Sequence, residues 1–208
     1  MNELTARTLT GLILIAMALI ASVEGGYVLA VLVALAATAM FYEWTRMTKG
    51  WGAAWYIGGF LYAVLPALAL LWVREREGLN LLIWIFIVTW STDIGAYFAG
   101  RKFGKRKLAP SISPGKTVEG LFGGIAGATL LGGAWVIGAD LARPLLVLAP
   151  LFAIAAQAGD LFESALKRRA GVKDSGGWLP GHGGVLDRLD GLVPVAVLTA
   201  LAQMAGLA

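Results

Sequence analysis

Cysteine is absent from the 208 residues, and histidine occurs once. The first absence excludes disulfides, zinc–thiolate sites and thiol chemistry. The second excludes a His-rich metal centre. Any metal would have to be held mainly by carboxylates, which favours hard cations such as magnesium. Charge is scarce too: Asp, Glu, Lys and Arg make up 14% of the chain, against roughly 25% in a soluble domain. Apolar residues make up 58% and the mean hydropathy is +0.75. A water-soluble core could not hide that much apolar surface in so short a chain, so the bilayer has to be the solvent. The net charge of +4 and pI near 9.5 have no soluble basic domain to act through, so nucleic acid is not an expected partner.

What is present is a series of apolar runs. Seven stretches approach the ~20 residues that span hydrocarbon as a helix: Leu4–Val23, Tyr27–Trp44, Ala53–Val73, Leu79–Ala99, Val118–Gly138, Pro144–Ala165 and Gly191–Leu207. The expected fold is an all-α integral membrane protein, a polytopic bundle of about seven transmembrane helices. Arg7 before an apolar core, with the small patch Ala21-Ser22-Val23, also fits a cleavable signal peptide. A retained anchor is expected, because its removal would spoil the alternation that follows. No internal repeat or low-complexity tail is evident. One membrane domain is expected, divisible into N-terminal membrane helices (1–78) and a catalytic membrane domain (79–208) with polar loops at 101–117 and 167–188.

The 17 Lys and Arg residues are unevenly placed. Seven spans put Arg7, Arg46, Lys49, the Arg101–Lys107 run, Lys116, Lys167–Arg169, Lys173 and Arg188 on one side. Only Arg74, Arg76 and Arg143 fall on the other. The positive-inside rule makes the first side cytoplasmic, with the N-terminus inside and both polar loops facing the compartment that holds nucleotides. Arg101–Lys107 is expected to attract anionic headgroups or fix topology rather than enter chemistry.

In the fifth span, Gly120, Gly123, Gly124 and Gly127 recur at small-residue spacing, which favours close helix packing over ligand contact. Trp44, Trp51, Trp55, Tyr56 and Trp72 read as interfacial anchors.

Chemistry is signalled by polar residues where lipid should forbid them. Asp160, Glu163, Ser164 and Lys167 follow i, i+3, i+4, i+7 spacing and share one face of the sixth span. Asp187 and Asp190 open the seventh. Converging, these carboxylates would form an oxygen-rich pocket for one or two divalent cations. The structural alternative is that Asp160 pairs with Lys167 or a nearby Arg and only fixes helix packing. Asp93, inside the fourth span, should face protein rather than lipid. Between the carboxylate pairs runs a glycine-rich loop, Lys173-Asp174-Ser175-Gly176-Gly177-Trp178-Leu179-Pro180-Gly181-His182-Gly183-Gly184, whose backbone N–H groups are open to a ligand. Ordinary turns use the same residues, and His182 could equally be a hydrogen-bonded structural histidine.

From Ser164 to Asp190 the chain reads SALKRRAGVKDSGGWLPGHGGVLDRLD. This string resembles the C-terminal motif of the phosphatidate cytidylyltransferase family at each fixed position of its pattern. Asp93-Ile94-Gly95-Ala96-Tyr97, Gly100-Arg101, Ser113-Pro114-Gly115-Lys116-Thr117 and Glu119-Gly120 are similar to that family's middle block. The resemblance covers about Trp90 to Val193. Familiar bacterial members are longer and carry extra N-terminal membrane helices, so it implies a compact version here.

The resemblance implies cytidylyl transfer from CTP to phosphatidic acid in a bacterial inner membrane, giving CDP-diacylglycerol and pyrophosphate, with Mg2+ as cofactor, alone or with a second cation. The residues expected to carry it are Asp160, Lys167, Lys173, Asp187 and Asp190 for catalysis. Asp160, Asp187 and Asp190 are the expected metal ligands, with Glu163 or Ser164 assisting. Arg168 and Arg188 join Lys167 and Lys173 as phosphate holders, with His182 in the same loop. The middle block adds Lys116 and Glu119 along the nucleotide or lipid-phosphate path, although Lys116 could only cap its loop and Glu119 only favour a helix start. A CTP-dependent lipid-alcohol kinase would need a similar site, and an ion-coupled transporter would also explain Asp93 and Asp160. Substrate acyl chains and oligomeric state, a homodimer included, are left open.

Overall fold

In lipid, backbone N–H and C=O groups have no water to bond, so long apolar runs bond internally as helices. The computed structural model describes residues 3–179 and 181–207, the side chains of residues 3, 4, 6 and 7 excepted. The expectation placed on the Arg7 side chain therefore lies outside the described residues. The order is α1 (Glu3–Glu24), α2 (Gly26–Met47), α3 (Ala53–Arg76), α4 (Leu79–Phe103), β1 (Lys107–Ala109), β2 (Ser113–Thr117), α5 (Val118–Gly138), α6 (Leu145–Arg169), α7 (Leu186–Leu189) and α8 (Leu192–Met204).

Five helices, α2 to α6, are long and apolar enough to cross a membrane, and the chain is read as a multi-pass membrane protein. The expected seven full spans are not all present among the described residues. The helix α8 has only 13 residues, shorter than a bilayer crossing, and the described apolar stretch of α1, Thr8–Glu24, stands at the lower limit for one. Packing explains the short α8. The Asp190 carbonyl is pressed against Gly159 of α6, where a Cβ would collide with it and would lie 2.9 Å from the Pro194 ring. Gly159 is ten residues short of Arg169 at the end of α6, ~15 Å along the axis. The chain has thus re-entered to that depth before α8 begins. Asp187 and Asp190 consequently sit on the separate turn α7 and at its end, not on a continuous seventh helix.

The loop between α4 and α5 is also more ordered than a polar linker. β1 and β2 pair antiparallel, with Lys107 opposite Thr117. Thr117 then caps α5, its side chain accepting the Gly120 N–H at 3.0 Å. Glu119 accepts the backbone N–H groups of Lys105 and Arg106 at 3.1 and 3.2 Å, closing the hairpin onto the helix.

The glycine stripe does what small residues do in lipid. Gly95 of α4 and Gly123 of α5 face each other so closely that a Cβ on either would strike the other's backbone. A Cβ at Gly124 would lie 2.8 Å from the Thr92 carbonyl, and one at Gly127 2.6 Å from that of Ser91.

Trp44 departs from the anchor expectation. It is 3% exposed, packs against Trp55, Tyr62 and Phe162, and donates its indole N–H to the Trp55 carbonyl at 2.7 Å. Trp51 and Trp55 carry the Arg169 guanidinium on their faces, 4.4 and 5.0 Å from the ring centres. One core cluster joins Ala21, Leu29 and Leu70 with Trp84, Ala149 and Ala196, continuous across residue 78.

Contacts sort the loops into two ends. Arg168 reaches the Ile112 carbonyl, Arg169 reaches Trp51, and Ser175 reaches Glu43, so the basic loops gather at one end. At the other, Arg74 donates to the Ser22 and Val23 carbonyls, and Glu75 accepts from Gly26.

Candidate active site

The end that gathers the basic loops encloses a polar cavity of about 830 Å³. Asp93 and Gly100 of α4, Lys116 of β2, Gln157 and Asp160 of α6, and Asp187, Arg188 and Asp190 of the α7 turn line it. The sixth span's helical spacing brings Asp160 and Lys167 to this wall as expected.

Lys116 is one of the cations in its lining. Its Nζ lies 2.6 Å from Asp160 Oδ2 and donates to Gln157 Oε1 at 2.7 Å. The Gln157 amide in turn points at Asp93 Oδ1, 3.5 Å away. Ser164 Oγ donates to Asp160 Oδ1 at 3.3 Å. Asp160 therefore stands between an ammonium and a hydroxyl, with its carboxylate open to the cavity. Burial, with the charge of Asp160 next, pushes the Asp190 carboxyl upward from the ordinary carboxylate range. Such crowding of acids favours a bound cation.

Asp187 is committed differently. Its Oδ2 accepts the N–H groups of Ser175 and Gly184 at 3.0 and 2.8 Å, and its Oδ1 accepts from Lys167 at 2.7 Å. Burial opposes its ionisation, yet the Lys167 ammonium and the Gly184 N–H outweigh it and hold the carboxyl below its usual range. Lys167 also forms an ion pair with Glu163 Oε2 at 2.5 Å, and both Glu163 oxygens are buried without a hydrogen bond.

The single five-residue metal pocket expected from spacing is thus divided. Asp160 and Asp190 face the cavity together with Asp93. Asp187 borders it with its oxygens engaged, and Glu163 turns to Lys167. Among the described residues no three acidic or imidazole side chains are already clustered as a metal centre.

The other expectations also sort by place. Arg188 lines the cavity and donates from Nε to the His182 carbonyl at 3.0 Å. Arg101 lines it as well and donates to the Tyr97 hydroxyl at 2.8 Å. Arg168 is tied to the hairpin at the Ile112 carbonyl, Glu119 closes the same hairpin, and Lys173 is exposed away from the lining. Gln157, which no sequence signal marked, links Lys116 to Asp93.

A second, apolar cavity of about 390 Å³ adjoins the first. Leu14, Ile15 and Ala18 of α1, Leu32 of α2, and Phe86 and Trp90 of α4 line its body. Asp93 and Arg188 line both cavities. His182 faces this apolar space, beside Gly11 of α1, with Nδ1 buried and unbonded. It is not among the residues lining the polar cavity, where its expected role would place it.

Comparison with known proteins bears on this arrangement directly. Residues 48–204 match the model of the cytidylyltransferase family. The chain belongs to that family. A phosphatidate cytidylyltransferase of Brucella suis is 47% identical over 176 residues, covering 82% of this chain and 63% of that protein. One from Bacillus subtilis is 51% identical over 119 residues, covering 56% and 44%. One from Pseudomonas aeruginosa is 40% identical over 178 residues, covering 82% and 66%. The chain spans less than two thirds of the length of these relatives. The cytidylyltransferase match contains every residue of the polar cavity's lining and leaves α1 and α2 outside it.

Proposed function

We propose that the chain transfers the cytidylyl group of CTP to phosphatidate, giving CDP-diacylglycerol and pyrophosphate. The two cavities meeting at Asp93 and Arg188 support this most directly. One is polar and large enough for a nucleotide. The other is apolar and suited to acyl chains, so a phosphate headgroup would rest where they join.

In the step, an oxygen of the phosphatidate monoester forms a bond to the α-phosphorus of CTP. The bridging bond to the β-phosphate breaks and pyrophosphate leaves with those electrons. The nucleophile is already an anion, so no activated serine or cysteine is required. The difficulty is bringing two anions together, and positioning with electrostatics is the remedy. Lys116 and Arg188, both in the cavity lining, supply positive charge. Lys167 holds Asp187, and through it the α7 turn, in place. Asp93, Asp160 and Asp190 are hard oxygen donors facing one cavity, a set that fits Mg2+. Bound there, Mg2+ would neutralise phosphate charge and polarise the α-phosphoryl group.

Incubating the purified protein with labelled CTP, phosphatidate and Mg2+ tests the reaction. CDP-lipid and pyrophosphate are expected only with all three present. Phosphatidate formed from diacylglycerol would instead point to the kinase.

The charge asymmetry and the gathering of basic loops at one end support a bacterial inner-membrane location with that end and the N-terminus in the cytoplasm. Ser111, Gly177 and Glu77 are exposed, and there is no native cysteine. In intact cells Ser111→Cys and Gly177→Cys are expected to resist an impermeant thiol reagent, and Glu77→Cys to react. The reverse pattern would invert the orientation.

A further inference from the structure

The glycine-rich loop is held by a carboxylate that lies before the family-matched segment. Glu43, on α2, is wholly buried at 0% exposure, whereas the match begins at residue 48. Its Oε2 accepts from the Ser175 hydroxyl and the Leu186 N–H, both at 2.9 Å, and its Oε1 accepts the Val185 N–H at 3.0 Å. A buried carboxylate in a membrane helix is costly unless donors meet it, and three do so here. The same carboxylate explains two motif glycines. A Cβ at Gly176 would run into Oε1. One at Gly184 would lie 2.7 Å from Oε1 and strike the Ser175 hydroxyl. Both glycines make room for Glu43.

We propose that Glu43 is a positioning residue, a latch that fixes the 173–186 loop and the α7 turn to α2 and so sets where Asp187, Arg188 and Asp190 stand. The inference rests on the cavity being the site of cytidylyl transfer. The tie is double. Glu43 grips Ser175 at one end of the loop and Val185 and Leu186 at the other, and Asp187 then grips Ser175 and Gly184. Asp190 follows within the same turn, its N–H bonded to the Leu186 carbonyl at 3.1 Å. Glutamine cannot take over the latch. Whichever way its amide is turned, an NH2 faces a backbone N–H, at Val185 or at Leu186, and one acceptor is lost.

A nitroxide on Gly177→Cys reads the loop directly, because position 177 is exposed and a Cβ there meets nothing within 4 Å. Glu43→Gln is expected to mobilise that label and to lower kcat on the order of 10²-fold, as misplacement by an ångström can do. KM for CTP should stay within about threefold, since the phosphate-facing cations remain. Ser175→Ala, which keeps both backbone bonds, should give the same pattern at about tenfold, and it carries the comparison if Glu43→Gln does not fold. Parental kcat with an immobile label overturns the latch. A mobile label with parental kcat leaves only a structural tie and overturns the positioning role. If the parental protein makes no CDP-lipid, the functional reading fails, and label mobility alone still decides the latch.

Discussion

Replacing Asp160 or Asp190 with Asn is expected to lower turnover per folded molecule on the order of 10²–10³-fold, about 3–4 kcal/mol of transition-state stabilisation. Asn keeps the shape but removes a charge and a strong oxygen ligand from the polar cavity. The two losses should be non-additive, because both carboxylates would act on the same cation and phosphate. Asp187→Asn should behave differently. Its oxygens already take Lys167 and two backbone N–H groups, so the variant should lose thermal stability in detergent along with activity. A magnesium titration separates the cases. Asp160→Asn and Asp190→Asn should demand more Mg2+ for half-maximal turnover, whereas a packing role predicts lower yield with normal turnover in what survives. Near-parental turnover and magnesium dependence in both variants would remove the metal-site assignment while leaving family membership untouched.

That division among the carboxylates shows where sequence periodicity stops. Asp160, Ser164 and Lys167 share one face of α6 because 3.6 residues per turn puts them there, and the glycines of α5 meet α4 because small residues permit close approach. Both are local rules applied to long helices, and both were legible. Whether Asp187 faces a ligand or a backbone depends on Ser175 and Gly184 folding back onto it, which no spacing encodes. Glu43 is further removed. It sits 132 residues before Ser175, inside a run that reads as an ordinary span, and its one visible signal was an acid where lipid should forbid one. Gln157 gave less, since a single uncharged amide in a membrane helix has many roles. The β1–β2 hairpin was hidden because Ser113-Pro114-Gly115 contains residues that strands disfavour. Trp44 was misplaced because an aromatic near a predicted membrane boundary packs inward or outward according to its neighbours, and Gly59 leaves the space that its indole fills.

Lys116→Met is expected to reduce kcat/KM for CTP about 10²-fold, about 2.7 kcal/mol, mainly through KM. The ammonium is poised between Asp160 and Gln157, partly buried, and it lines the cavity rather than filling a core. A phosphate entering the cavity would compete with Asp160 for it, and charge-assisted bonds to phosphate are strong. The competing account makes Lys116 a counter-charge for Asp160 and nothing more. Under that account Lys116→Met leaves an uncompensated carboxylate in a partly buried site, which is costly, and Asp160→Asn should restore stability by removing it. The double variant therefore decides. If Lys116 binds phosphate, adding Asp160→Asn restores stability but leaves KM for CTP as high as in the single variant. Should the double variant instead recover both thermal stability and CTP affinity, the ammonium's role is to neutralise Asp160, and the phosphate-binding assignment passes to Arg188 and Arg101, which line the same cavity.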